Sequence, residues 1–253
     1  MTSAAPSNAG VAGHPVVLFD LDDTLFDHQF CSRTALRSIQ QKYPELLGVR
    51  FEGLENRYQE LLETWHQKFL EGHIDLEESR LRRWAILLSE NIPCEIPDEW
   101  VAEAADAFMR AYQDAYRPVP GALDLLNQLA ANNCRVGIVT NHTLLEQTTK
   151  LDRIGIARYV ETLVVPEAIG FSKPDPRIFE AALTELGGTP ERSVMIGDSW
   201  TSDIMGARKL GLHAIWLNRY GHTCPEPNSA SEVTSLEPVD RVLGLILEKL
   251  TCG

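Results

Sequence analysis

The chain has 253 residues, enough for one to two domains with a proper core. Its 36 Asp plus Glu against 23 Lys plus Arg give a formal charge of −13. That excess argues against a general DNA or RNA polymer binder, which needs basic side chains to displace counterions from phosphates, and against an anionic membrane as partner. With 44% hydrophobic and 23% charged residues, the composition is that of a folded globular protein and not of a disordered or fibrous chain.

In chain order, 1–13 is rich in Ala, Ser and Gly, has no basic residue and no apolar stretch of a secretory signal, and is expected to be a disordered leader. Pro15 to Phe19 is a continuous apolar run that predicts a buried strand. From about Asp27 to Arg117 no strand pattern occurs. Leu54, Tyr58, Leu61, Leu62, Trp65 and Phe69 recur at helical spacing, as do Leu76, Leu81, Trp84, Leu87 and Leu88, with Gly72-His73 marking the turn between the two stripes. Core packing within a helix bundle accounts for both. Pro118 and Pro120-Gly121 lead back to alternating elements: strands at Val136 to Thr140, Thr162 to Val165, Ser193 to Gly197 and Ala214 to Leu217, and helices at Gly121 to Ala131, Leu144 to Ile154, Asp175 to Leu186, Ser202 to Leu210 and Val239 to Leu250. Short buried strands alternating with helices predict an α/β fold, a parallel sheet covered on both faces. The expected organisation is thus a sheet core of 14–26 and 118–253, split by an inserted helical domain of 27–117. No apolar run approaches the roughly 20 residues that span a bilayer. The five cysteines, with no Cys-x-x-Cys pair, read as free thiols of a cytoplasmic protein.

In open α/β sheets the binding crevice lies outside the carboxyl ends of the strands, so the strand ends are read together. They carry Asp20-Leu21-Asp22-Asp23-Thr24, Thr140-Asn141, Ser172-Lys173-Pro174, and Gly197-Asp198 followed by Asp203. Two carboxylates about 4 Å apart repel by roughly 4 kcal/mol at an effective dielectric near 20, so such a cluster asks for a cation. Hard oxygen donors without Cys or His suit Mg²⁺, which takes its remaining ligands from water and a substrate phosphate. A phosphoryl group bridged by metal beside a carboxylate is set up for nucleophilic attack. Singly, Asp23 or Asp203 is explained by a helix cap or a surface carboxylate; four strand ends in chain order are not.

Those four segments, Phe19 to Leu25, Val139-Thr140-Asn141, Ser172 to Asp175, and Gly197-Asp198 through Asp203, resemble the motifs of the haloacid dehalogenase (HAD) superfamily of hydrolases over about Pro15 to Gly221. The resemblance implies a Rossmann-like, doubly wound core with a mobile helical cap inserted after the first motif. It implies Asp20 as the nucleophile that becomes phosphorylated and also binds Mg²⁺. Asp22 would be the acid and base, with its backbone carbonyl on the metal; a buried acceptor is the plain alternative. Thr140 and the backbone N–H of Asn141 would hold the phosphate and Lys173 would neutralise charge. Asp198 would be a metal ligand, and Asp203 a metal-shell or Lys-orienting carboxylate. The superfamily's dehalogenases and phosphonatases lack a carboxylate at the position of Asp22, so phosphate-ester hydrolysis of a small phosphorylated metabolite is the implied reaction. A haloacid dehalogenase and a non-catalytic protein of the same fold are the competing readings. Asp23 stands where Gly is usual, which alters the turn and leaves the chemistry.

In helical-capped members the turn between two cap helices selects the leaving group, here Phe69 to Ile74 followed by Arg80, Arg82, Arg83 and Trp84. His73 and Arg83 are the substrate-side candidates, although Asp75, Glu77 and Glu78 are able to pair with these arginines on a solvated face. With Trp65 and Ile215-Trp216-Leu217-Asn218, this pattern is similar to a bacterial subgroup that includes pyrimidine 5'-nucleotidases. A nucleoside 5'-monophosphate is the expected substrate, with a sugar phosphate or phosphoglycolate as alternatives. Nothing in the sequence signals an oligomeric state.

Overall fold

The structure, a computed structural model, describes residues 14–251. The expected leader lies outside the described residues, as does Cys252. In chain order the elements are β1 (Val16–Phe19), α1 (His28–Lys42), α2 (Phe51–Leu70), α3 (Leu76–Asn91), α4 (Asp98–Asp114), α5 (Ala122–Ala131), β2 (Arg135–Val139), α6 (Leu144–Arg153), β3 (Thr162–Val164), α7 (Pro166–Ile169), α8 (Pro176–Leu186), β4 (Ser193–Gly197), a π-helical turn (Trp200–Ile204) running into α9 (Met205–Lys209), β5 (His213–Leu217), β6 (Ser231–Val233) and α10 (Val239–Thr251). Two compact units result: Leu25–Val119 with Thr148–Gly155 form a helical unit, and the other described residues form a sheet unit.

The sheet unit is a six-stranded parallel sheet in the order β3-β2-β1-β4-β5-β6, a Rossmann-like α/β fold. All four residues of β1 are buried, as expected of a central strand covered on both faces. On one face Val16, Leu18, Val139, Val164 and Met195 pack against Ile178, Phe179, Ala182, Leu183 and Leu186 of α8. On the other, α5 and α10 pack on each other and on β2 and β4. Because β1 pairs with β2 on one side and β4 on the other, the strand order reverses at β1, the place at whose carboxyl end open α/β sheets bind their ligands. The five expected strands are present within a residue at their ends. β6 is an addition: Ser231–Val233 is polar and short, so it has no pattern of its own, and it exists through its pairing with β5.

In the helical unit α1 packs on α4, α2 on α3 and α3 on α4. The expected stripes supply its core, with Leu54, Tyr58 and Leu61 of α2 and Trp84, Leu87 and Leu88 of α3 buried beside Phe108 and Tyr112 of α4. The Tyr58 ring lies 4.9 Å from Phe108 and 5.6 Å from Trp84, centroid to centroid. Asp75 caps α3 by accepting from the Glu78 N–H at 2.7 Å, which stops α2 and α3 from merging across Gly72 (φ 74°). The two ends of the insert run antiparallel. Phe26 bridges Pro118, the Asp27 N–H donates to the Arg117 carbonyl at 3.1 Å, and the Arg117 guanidinium meets the buried Asp27 carboxylate at 2.5 Å. Residues 148–155, assigned to the sheet core by their pattern, belong with this unit: Lys150 lies over the Phe26 ring at 5.0 Å and Arg153 over Tyr116 at 5.2 Å. No helix among the described residues is long and apolar enough to cross a membrane.

Gly137, in the middle of β2, marks a close approach: a Cβ there would lie 2.8 Å from Leu186, 2.9 Å from Thr162 and 3.0 Å from Leu18. Gly137→Ala is therefore expected to destabilise the sheet unit by about 1–3 kcal/mol through overpacking, read from the midpoint of urea unfolding.

Candidate active site

Asp20 directly follows β1, and its backbone N–H donates to the Ile196 carbonyl at 2.9 Å, continuing the ladder with β4. Its carboxylate receives the Lys173 ammonium at 2.5 Å, and the same Nζ reaches Asp203 Oδ1 at 2.7 Å. All three side chains are buried. Asp203 is held from both sides, since its Oδ2 accepts the Ser199 N–H at 3.0 Å. Room for it comes from Gly197, where a Cβ would stand 2.2 Å from Asp203 Oδ2. The glycine of the fourth motif is thus a space requirement, and any side chain there would evict the carboxylate that orients Lys173.

Asp198, the residue after β4, completes the cluster. One oxygen each of Asp20, Asp198 and Asp203 lie within 4.8 Å of one another. Burial pushes the Asp20 carboxyl up to about 7, with Asp203 and Asp22 adding to the rise and Lys173 opposing it. Burial likewise raises Asp198 well above the usual carboxylate range, with the charges of Asp20, Asp203 and Asp23 acting in the same direction. Burial disfavours the charge on Lys173, but Asp20 and Asp203 outweigh it and hold the ammonium above the ordinary lysine range. Three carboxylates share one ammonium, and the surplus of two negative charges equals one divalent cation. An all-oxygen donor set of this charge fits Mg²⁺.

The second motif is tied to the first and the third by amides. Gln147, on α6 and fully buried, donates from Nε2 to Asp22 Oδ2 at 2.9 Å and to Thr140 Oγ1 at 2.7 Å. Because Thr140 accepts from Gln147, its own hydroxyl proton is left to donate elsewhere. Asn141 accepts the Lys173 N–H at 2.7 Å and donates to the Lys173 carbonyl at 2.9 Å, so its side chain clamps the loop that presents the lysine. Asp20, Asp22, Thr140, Asn141, Lys173, Asp198 and Asp203 are all in the sheet unit and are joined in this network. Asp23 adopts φ 58°, the left-handed conformation that makes Gly usual there and that Asp tolerates, and accepts from the Tyr220 hydroxyl at 3.1 Å.

His73 and Arg83 stand apart from this network, in the helical unit. His73 is exposed in the turn after α2, 3.2 Å from Glu71, whereas Arg83 is buried in α3. Reading the sequence missed Gln147, and it named Trp216 without its contact. The Trp216 indole N–H donates to the Asp198 carbonyl at 2.7 Å, with Trp200 edge-on at 5.2 Å. Its place in Ile215-Trp216-Leu217-Asn218 is visible in the sequence and its role is not. Gln147 has a faint signal, as an uncharged polar residue on the inner side of a helix directly after the second motif.

The model of the haloacid dehalogenase-like hydrolases matches residues 14–211. The pyrimidine 5'-nucleotidase YjjG of Escherichia coli is 32% identical over 90% of this chain and 96% of its own length. The glyceraldehyde 3-phosphate phosphatase of Methanothermobacter thermautotrophicus is 31% identical over 80% of the chain and 84% of its own. Among solved structures, the HAD-hydrolase YfnB from Bacillus subtilis, bound to magnesium, superposes with a TM-score of 0.73 at 26% identity, covering 92% of this chain and 99% of that one.

The crowded carboxylates give a stability signature. Raised in the folded state from 3.8 to about 7, Asp20 favours folding when protonated, and that contribution is lost as pH climbs from about 4 to 7. Protein stripped with EDTA is expected to lose thermal stability over that window. Added Mg²⁺ is expected to raise Tm more at pH 7.5 than at pH 5, where protons compete for the same oxygens; equal gains at both pH values would contradict binding at this cluster.

Proposed function

The chain belongs to the haloacid dehalogenase-like hydrolases, and from that premise we propose that it is a Mg²⁺-dependent phosphomonoesterase working through a phosphorylated Asp20. The observation that carries this reading is Lys173 held between Asp20 and Asp203 beside Asp198, with Asp22 two residues from the nucleophile and fixed by Gln147.

Asp20 and Asp198, with the backbone carbonyl of Asp22, would hold Mg²⁺, which when bound neutralises charge on the phosphoryl oxygens. Asp203 has both oxygens engaged by the protein, which favours it as the carboxylate that aims Lys173. Asp20 attacks phosphorus in line with the leaving oxygen, and Lys173 offsets the charge on the nucleophile and on the transferring group. The Thr140 hydroxyl, whose oxygen accepts from Gln147 and whose proton is left to donate, and the backbone N–H of Asn141 hold the phosphoryl oxygens. Asp22 gives a proton to the leaving alkoxide and then takes one from the water that hydrolyses the aspartyl phosphate. A halide leaving group needs no such proton, so a fixed carboxylate at this position favours ester hydrolysis over dehalogenation.

For substrate, the likeness to YjjG supports a nucleoside 5'-monophosphate, and the likeness to glyceraldehyde 3-phosphate phosphatases keeps a small sugar phosphate as the second reading. The helical unit is assigned the part of a cap, with His73 and Arg83 on the substrate side.

A steady-state screen of nucleoside 5'-monophosphates and sugar phosphates with Mg²⁺ tests the reading. EDTA and Asp20→Asn are each expected to abolish turnover. Asp22→Asn should lower kcat about 10²–10⁴-fold on alkyl phosphates and distinctly less on p-nitrophenyl phosphate, whose leaving group departs unprotonated. Undiminished turnover in EDTA, or an equal loss on both substrate types, would sink it.

A further inference from the structure

Basic side chains that take no part in the carboxylate cluster meet at the opposite edge of the sheet. β5 begins at His213, which pairs in register with Val194, whereas Asp198 follows the last residue of β4. Four residues of rise at about 3.3 Å each put His213 about 13 Å from the level of Asp198. A cavity of about 350 Å³ opens there, lined by Arg208 of α9, His213 of β5 and Lys249 of α10, with Asn228, Ser229 and Ser231 from the segment that enters β6. Its volume is in the range of small-molecule sites. No carboxylate lines it, in a chain whose acidic residues outnumber its Lys and Arg by 36 to 23. Arg208 gives one N–H to Glu226 at 3.2 Å, in an exposed pair of small worth, and keeps the rest of its donors. Among the described residues His213 and Lys249 have no ion-pair partner, and the Asn228 amide and the Ser231 hydroxyl make no side-chain hydrogen bond.

Like charges on the walls of one cavity repel, and an anion between them turns that repulsion into attraction. Arg208 and Lys249 supply two fixed positive charges, which match a dianion. The donors come from three separate elements and the β6 segment, an arrangement that suits the tetrahedral oxygens of a phosphate, whereas a planar carboxylate is met by one guanidinium fork. The β6 side of the cavity is a closed turn: Asn228 adopts φ 66°, and both the backbone N–H and the hydroxyl of Ser229 donate to the Glu226 carbonyl, at 3.2 and 2.7 Å. We propose that this cavity is an anion site of the sheet unit that receives a phosphate dianion, either free or as the head of a small phosphate ester. Its distance from the carboxylate cluster makes the occupant a ligand held intact and not one hydrolysed, so the site stands independently of the function proposed above.

The test is an NMR titration of the full chain, labelled with ¹⁵N and kept in EDTA, with inorganic phosphate and separately with glycerol 2-phosphate. Saturable shifts are expected at the backbone amides of His213, Asn228, Ser229 and Ser231, and Lys249→Met should weaken the binding they report about tenfold or more without lowering Tm. Arg208→Met, on a different element, should do the same and serves if the Lys249 variant does not fold. Absence of saturable shifts at these amides with both probes, or equal affinity in the wild type and the two variants, would overturn the site. Tighter binding of glycerol 2-phosphate than of phosphate identifies an ester as the ligand, and equal or weaker binding identifies free phosphate. The amides of Thr140 and Asn141 report the proposed catalytic phosphate site in the same spectra and should respond alike in the wild type and Lys249→Met, so failure of one reading is seen apart from failure of the other.

Discussion

The Lys173 ammonium, placed between Asp20 and Asp203, is the contact on which the rest of the site depends. A single positive charge in a buried pocket of carboxylates both permits the cluster and leaves it short of neutral. Without the lysine, nothing would oppose the burial that already pushes the Asp20 carboxyl up. With it, three carboxylates still face one ammonium, and the remaining charge matches that of one divalent cation. The surrounding contacts serve this placement. Ser199 fixes the far oxygen of Asp203, Gly197 vacates the space that the carboxylate fills, and Asn141 holds the lysine's backbone from both its donor and acceptor sides.

The sheet explains why these groups meet. Parallel strands deliver their carboxyl ends to one edge, and β1 sits where the order reverses, so Asp20 and Asp198 arrive as neighbours through the β1–β4 register alone. The loops need only short reaches from there. The second motif is drawn in by Gln147, one amide that restrains the proposed acid Asp22 and the proposed phosphate ligand Thr140 together. Burial of that amide makes its two hydrogen bonds costly to break.

Sheet and motifs are legible in the sequence because both are local signals. Apolar runs of four or five residues mark strands, and the polar residues that follow each run are the site. What is not legible depends on contacts across the chain. β6 has no pattern apart from its partner strand. The second half of α6 reads as any amphipathic helix, yet Lys150 and Arg153 place it over Phe26 and Tyr116. Gln147 and Trp216 act on residues 125 and 18 positions away, and nothing in their immediate neighbourhood announces it. Gly197 is visible as part of a motif, but its reason, the position of Asp203, is visible only in three dimensions. Arg83 is the converse case. Its helical spacing suggests a solvated face shared with Glu77 and Glu78, and burial against Tyr58 instead removes it from those partners.

Lys173 lies 153 residues from Asp20 along the chain. Joining them requires the helical insert and two crossover segments to be accommodated first, and loop-closure entropy opposes that contact until the parallel ladder beneath it has formed. Assembly of the charged cluster is therefore expected late in folding, after the ladder beneath it. Refolding followed by hydrolysis should lag behind refolding followed by helix content, so that recovered turnover reports completion of the whole sheet where bulk secondary structure does not.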